Sequence, residues 1–455
     1  MTKRLQEISL ARFMTGTIAL AALATVTLAI AQTAPSQLAS SDQQTTSAPL
    51  FLTLQDALER AKKINPEFRA ALTESGLAKE DKVQSRATLL PNVNFTNSFA
   101  YTQGGGVLGV SRYVANNGVH EYISQGSVHQ EFSLANVAEY RRTLAAEAVA
   151  RARAEIAARG LVVTVVQAYY GFAVGQQKYA TAQRAQAEAQ HFFDISQKLE
   201  RGGEVAHSDV VKAEIQLQHQ TRDLQEAQLE MDRSRLELAV LVFPDFNENF
   251  SVVDDLQVPE PLPAFSEVQT AAANRNPELR AALATVQEAN QEVAGAWNGF
   301  LPSVSFDYFY GIDANQFASE GPNGIHNLGY SAVATLQLPV WNWGSNRSRL
   351  KQATLRRQQA RVELSATQRE LLAKLRTLYS EARTAHSELE SLGRSAELAA
   401  ESLRLINMRY QAGESTVLEV VDAQNTLTQA RNALHDGQSR YRVALANLQT
   451  LTGTL

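Results

Sequence analysis

Asn65-Pro66-Glu67-Phe68-Arg69-Ala70-Ala71-Leu72 and Asn276-Pro277-Glu278-Leu279-Arg280-Ala281-Ala282-Leu283 are nearly the same octet written twice, 211 residues apart. At the same shift Leu90-Pro91-Asn92-Val93 meets Leu301-Pro302-Ser303-Val304, and Phe95 meets Phe306. With the shift one residue shorter, Gly203-Glu204 falls on Gly413-Glu414, Val210-Val211 on Val420-Val421, Ala213 on Ala423 and Leu217 on Leu427. The chain therefore reads as a tandem duplication, with copies at 50–243 and 265–455. The segment 244–264, which carries Pro244, Pro259, Pro261 and Pro263, reads as the linker between them. A unit of roughly 200 residues is far longer than a solenoid module of about 20–50. Each copy is better understood as half of one domain.

The second copy holds the clearest periodicity. Leu371, Leu375, Leu378, Ala382, Ala385, Leu389, Leu392, Ala396, Ala399, Leu403, Ile406 and Tyr410 recur at alternating steps of four and three, the seam of a coiled coil. No proline interrupts 346–411, so the spacing predicts a helix on the order of 100 Å long at about 1.5 Å per residue. The first copy repeats the seam more weakly at Leu161, Val165, Ala168, Phe172, Tyr179, Ala182, Ala189 and Phe193, with Gln186, Ser196 and Glu200 interrupting it. Gly202-Gly203 and Gly413 are placed to end these helices in the left-handed conformation, and Ser208 or Ser415 to cap the ones that return. Each copy thus predicts a long antiparallel hairpin, over 135–242 and 346–451. Shorter helices precede them, with Pro66 and Pro277 in first turns, where a missing N–H costs nothing.

Between the short and long helices the period changes to two. Val93, Phe95, Phe99 and Tyr101 alternate with Asn94, Thr96, Ser98 and Thr102; Val304, Phe306, Tyr308 and Tyr310 alternate with Ser305, Asp307 and Gly311. Each copy predicts one strand pair, over 92–134 and 303–341, with aromatic residues on one face and Asp307, Glu131 or His129 on the other. Alternation in the last strand is poor, so its apolar face cannot be read from the residues.

Composition sets the compartment. Lys3, Arg4 and Arg12 precede an apolar run from Phe13 to Ile30 that ends Ala29-Ile30-Ala31, the layout of a cleaved signal at 1–31, followed by a polar segment at 32–49. Cysteine is absent, which excludes disulfides, thiolate metal sites, thiol nucleophiles and a lipid anchor on cysteine. The formal charge of −5 becomes about −7 without the signal, which argues against a nucleic-acid partner. No other window reaches the roughly 18 uninterrupted apolar residues of a spanning helix, so a mature chain that enters a membrane does so as strands. Four strands cannot close a barrel, because single-chain barrels begin at about eight and open edges in lipid leave backbone groups unpaired. The chain is expected to assemble with copies of itself.

The octets, the two Leu-Pro pairs, Leu338-Pro339-Val340-Trp341-Asn342-Trp343-Gly344 entering the long helix, and Arg409-Tyr410-Gln411-Ala412-Gly413 followed by Leu418-Glu419-Val420-Val421-Asp422-Ala423-Gln424 resemble the TolC-like outer-membrane efflux proteins. The resemblance covers about residue 50 to the end. It implies a mixed α + β membrane protein: a homotrimer whose chains each give four strands to a twelve-stranded transmembrane β-barrel and two hairpins to a periplasmic α-barrel. It implies a passive exit duct in the outer membrane, reaching into the periplasm and serving a periplasmic membrane-fusion adaptor and an inner-membrane pump of RND or ABC type. Glu419 and Asp422 match the acidic ring of the family's periplasmic constriction, with glutamate where aspartate is usual. Tyr410, Asp209 and Ser208 match a polar latch between neighbouring hairpins, whose arginine is replaced here by Ser415. The turns Gly202, Gly203, Glu204, Val205, Gly413, Glu414 and Ser415 are the expected adaptor contacts.

Each of these residues has a plainer role. An acid in a first helical turn complements the helix dipole by about 0.3–1 kcal/mol, and turn glycines cap helices. Enzymatic readings find little: Gly104, Gly106 and Gly109 have dinucleotide-loop spacing without a following helix, and His120-Glu121 lacks a second histidine. No catalytic, cofactor or metal residues are expected. The alternative is a periplasmic coiled-coil adaptor or structural envelope protein, which would not carry duplicated strand pairs.

Overall fold

The structure is a computed structural model describing residues 50–101, 120–256 and 260–453. The expected signal, the polar segment 32–49, the glycine loop at 104–118 and Pro259 lie outside the described residues. Among the described residues, fourteen α-helices and β-strands follow in order. The first copy gives β1 (Leu50–Leu52), α1 (Leu54–Ile64), α2 (Pro66–Ala87), β2 (Asn92–Tyr101), β3 (His120–Phe132), α3 (Leu134–Gly202) and α4 (His207–Val242). Next come β4 (Phe250–Val252), α5 (Phe265–Arg275), α6 (Pro277–Asn298), β5 (Ser303–Ala314), β6 (Leu328–Gln337), α7 (Ser345–Gln411) and α8 (Val417–Thr452).

The repeated octet has a local reason. Asn65 and Asn276 sit in extended backbone and cap α2 and α6, Oδ1 accepting from the Phe68 N–H at 2.8 Å and the Leu279 N–H at 2.9 Å. Each following proline then occupies the first helical position. Asn276 is buried, and its Nδ2 also donates to the Leu451 carbonyl at 3.3 Å, tying α6 to the end of α8.

α3 and α7 run 69 and 67 residues, each about 100 Å long. Their seams are buried or half-buried at every predicted position. Close packing is visible where glycine replaces a side chain: a Cβ at Gly175 of α3 would lie 2.8 Å from Ser234 Oγ of α4, and one at Gly437 of α8 would lie 2.4 Å from Leu392 Cδ1 of α7. α3 is also the one helix among the described residues with an 18-residue stretch apolar enough, by length and composition, to cross a bilayer. The stretch is not uninterrupted, since the polar Thr164 and Gln167 lie within it. Leu161, Val165, Val166, Tyr169 and Phe172 of this helix are core, packed under α1, β1, β4 and α4.

The expected linker is only partly a connector. Phe250–Val252 pairs in parallel with Leu50–Leu52, giving a two-stranded sheet whose Leu52, Phe250 and Val252 join the core. Tyr169 donates its hydroxyl proton to the Val253 carbonyl at 2.8 Å; burial, then the nearby Asp255 charge, push its pKa up to about 12. Arg442 of α8 is 7% exposed and donates to Glu260 Oε1 at 2.8 Å and to the Asp255 carbonyl at 2.6 Å. These bonds pin the segment to both hairpins.

The other four strands form one antiparallel sheet in the order β2-β3-β5-β6. Its register settles which face of β6 goes with the aromatics of β5: Tyr308 lies opposite Ala332, Tyr310 opposite Tyr330 and Val304 opposite Leu336. One face therefore carries Phe95, Phe99, Tyr122, Phe306, Tyr310, Tyr330 and Leu336, with Tyr308 and Tyr330 rings 6.2 Å apart. The other carries Ser98, Gln125, Ser127, Glu131, Ser305 and Thr335, with His129 Nδ1 2.6 Å from Asp307 Oδ1 across β3 and β5. β6 stops at Gln337, short of Trp341: Pro339 has no N–H to pair, and Trp343 (φ 55°) and Gly344 (φ 81°) then turn the chain into α7.

Candidate functional site

The two hairpin tips are built alike. α3 ends with Gly203 at φ 76°, whose N–H donates to the Glu200 carbonyl while Glu204 N–H donates to that of Leu199, both at 2.9 Å. The second turn repeats this with Gly413 at φ 76°, Gly413 N–H to Tyr410 (3.1 Å) and Glu414 N–H to Arg409 (2.8 Å). Arg409 closes back on the Glu414 carbonyl at 3.0 Å. At the tips Gly203 and Gly413 are left-handed; Gly202, expected to share that role, is the last helical residue. The expected serine caps are also corrected. Ala206, with no side-chain bond, precedes α4, and Thr416 caps α8 by accepting from Glu419 N–H at 3.3 Å. Ser415, one residue before the cap, donates instead to Glu419 Oε2 at 2.5 Å.

Under the turns lies a small core of Phe192, Ala213, Tyr410, Val417 and Val420, flanked by the half-buried Val205, Ile406 and Val421. It joins the two hairpins. At its centre Tyr410 packs on Phe192, ring centroids 5.0 Å apart, with its hydroxyl 3.1 Å from Ser196 Oγ. Ser196 spends its own proton on the Phe192 carbonyl at 3.0 Å, so Tyr410 is the donor to Ser196. Burial holds the Tyr410 pKa above the ordinary tyrosine value, the Ser196 bond lowers it, and the charge of Asp209 raises it. Nearest the turns, Tyr410 to Ser196 is thus a direct polar contact between the hairpins of one chain, and further along them Gln216 Nε2 donates to Asn425 Oδ1 at 2.9 Å. Asp209 is close enough to act electrostatically, but its carboxylate takes Lys212 at 3.2 Å, and Ser208 is exposed on the first turn of α4. Ser196 was visible in the sequence only as a flaw in an apolar seam. A fully buried serine facing a tyrosine is a signal that needs the second hairpin in place.

Glu419 and Asp422 are exposed, three residues apart on the first turns of α8, beside Leu418 at 69% exposure. Val420 and Ala423, between and after them, are buried. The sequence alternates residues that hold the hairpin with residues that face away from it. Glu204, Glu414, Gly202, Gly203 and Gly413 are exposed at the tips, while Val205 and Ser415 are half-buried. Nothing here resembles a catalytic constellation, and no group of three or more metal-ligating side chains occurs among the described residues.

A family model described as "Outer membrane efflux protein" matches residues 57–242 and 268–454, most of the chain and both copies. The chain belongs to the outer membrane efflux protein family. Like the family, it is a transport channel of the outer membrane. This outer membrane efflux protein is 22% identical over 416 residues to outer membrane protein TolC of Escherichia coli, covering 88% of this chain and 82% of that one. It is 24% identical over 431 residues to the alkaline protease secretion protein AprF of Pseudomonas aeruginosa, covering 89% and 85%. Its fold matches the crystal structure of the Campylobacter jejuni CmeC outer membrane channel with a TM-score of 0.75 at 18% identity, covering 88% of this chain and 85% of that one.

Proposed function

We propose that three copies of this efflux protein assemble into one hollow duct, with a twelve-stranded barrel in the membrane and a helical tunnel below it. The carrying observation is the four-stranded sheet with β2 and β6 unpaired at its edges and one aromatic face exposed. Such a sheet in lipid must find partners for its edge N–H and C=O groups, and another copy offers complementary edges. The aromatic face then meets lipid, and the face with His129, Glu131 and Asp307 lines the lumen. The helices support the same arrangement. Val211, Ile215, Leu229, Leu236 and Val240 leave an exposed apolar stripe along α4, as Leu355, Val362, Leu398 and Leu405 do along α7. Neighbouring copies would cover both.

In this reading the tips form the periplasmic end. Glu419 and Asp422 ring the constriction, and Tyr410, Ser196, Asp209 and Ser208 form the latch region that holds adjoining hairpins together. The exposed turns receive a periplasmic adaptor, which couples the duct to an inner-membrane pump of RND or ABC type. A relative named for protease secretion makes type I secretion as well as efflux a use consistent with the fold. A cysteine replacing Glu414 should crosslink to the adaptor with a short thiol-directed reagent in cells, and one replacing Leu229 should not. Crosslinking at neither turn, tested also at Glu204, would contradict docking there.

A further inference from the structure

The chain has three tryptophans, and all of them lie where the sheet gives way to helices. Trp297 stands at the end of α6 with its ring 5.8 Å from that of Phe300, and Trp341 and Trp343 stand between β6 and α7 with rings also 5.8 Å apart. Asn346 Nδ2 donates to the Gly299 carbonyl at 2.6 Å and ties the two segments together. Val340, Trp341 and Trp343 are 83%, 75% and 89% exposed. They follow β6, which ends at Gln337 and carries Tyr330 and Leu336.

Immediately beyond them the charge is one-sided. Residues 345–362 contain six arginines and lysines and no acid, the first being Glu363. The corresponding stretch of the first copy, 134–151, contains three arginines with Glu139 and Glu147. Arg347, Arg349 and Lys351 are exposed in the first two turns of α7, where positive charge opposes the helix dipole. Arg349 borders the groove between α3, α6 and α7, whose acids are already engaged: Arg142 holds Glu139 and Glu288, and Arg356 reaches Glu292 at 3.5 Å. Helix stability gives no reason for this run. Tryptophan above and cations below is the arrangement that an anionic bilayer surface selects, with the indole at headgroup depth and the guanidinium groups on phosphate.

We propose that Trp297, Trp341 and Trp343 seat in the periplasmic leaflet and that Arg347, Arg349 and Lys351 bind the headgroups of anionic phospholipid there. The proposal rests on the membrane placement given above. Because the patch holds every tryptophan, fluorescence reads it alone. The full mature protein is reconstituted in phosphatidylethanolamine vesicles containing about one part in four phosphatidylglycerol, with bromine on the acyl chains of one lipid or the other. At equal mole fraction of brominated lipid, phosphatidylglycerol should quench at least about twofold more strongly, and the ratio should fall towards one as salt is raised. The variant R347Q/R349Q/K351Q should show no preference. Should it fail to assemble, Arg347→Gln alone should lower the ratio. Equal quenching by the two lipids in the unaltered protein overturns headgroup binding and leaves membrane placement standing. Absence of quenching by either, in protein that floats with the vesicles, means that a neighbouring copy covers the patch and also overturns the proposal. Failure to float counts against the membrane placement itself.

Discussion

Gly311→Val should abolish assembly of the channel, while Gly329→Ala should leave it at the unaltered level. The two glycines are paired across β5 and β6, so composition and position alone would rank them equal. Their surroundings differ. A Cβ on Gly311 would lie 2.3 Å from the Ser124 carbonyl oxygen and 2.4 Å from Gln125 Cα, both backbone of β3, whereas one on Gly329 meets nothing within 4 Å. Backbone cannot rotate away as a side chain can, so valine at 311 must part β3 from β5 at the middle of the sheet. Overpacking that side chains can relieve costs about 1–3 kcal/mol; parting a ladder in lipid adds unpaired N–H and C=O groups at several kcal/mol each. The measurement is the yield of heat-resistant oligomer in outer-membrane fractions. Oligomer from Gly311→Val at the unaltered level would show that the sheet is not paired in this register.

The double variant E419Q/D422N should lose most of the channel's preference for cations while keeping its fold. In the trimer, six carboxylates would converge on the axis, and their summed potential would concentrate cations at the narrowest point. Removing them should lower the cation-to-anion permeability ratio at least about threefold in planar bilayers at low salt, with a smaller effect as salt is raised. The plainer role of Glu419 gives a different result. Its N–H is bound to the Thr416 cap and its carboxylate accepts from Ser415, so a purely structural acid would cost about 0.3–1 kcal/mol of stability on removal and leave selectivity unchanged. An unchanged permeability ratio would therefore remove these residues from the constriction.

What the residues made legible is what depends on local periodicity. The heptad seams were readable because every fourth and third position of α7 is buried against α8, and the strand pairs because successive side chains in β2 and β5 take opposite environments. Features set by contacts between distant segments were not. β6 alternates poorly, with Val333 on the polar face and small alanines at 332 and 334 on the aromatic one, so only its register with β5 assigns its faces. β1 and β4 are three residues each, too short for any period, and exist because Leu52, Phe250 and Val252 meet on α3. At the tips the glycines announced the turns, but the bond beneath them joins Ser196 to Tyr410 across 214 positions. A seam defect and a seam tyrosine carry no sign in sequence that they belong together. The basic run after Trp343 was likewise in plain view, but its contrast with Glu139 and Glu147 depends on setting the two copies side by side.

On the reading proposed above, one chain is a third of a pore. Electron cryo-microscopy of the mature protein in lipid nanodiscs tests it directly: the account predicts a particle of three chains around a continuous lumen, with β6 of each chain paired to β2 of the next. A particle containing a single chain, or three chains whose sheets remain separate with no lumen between them, would contradict it.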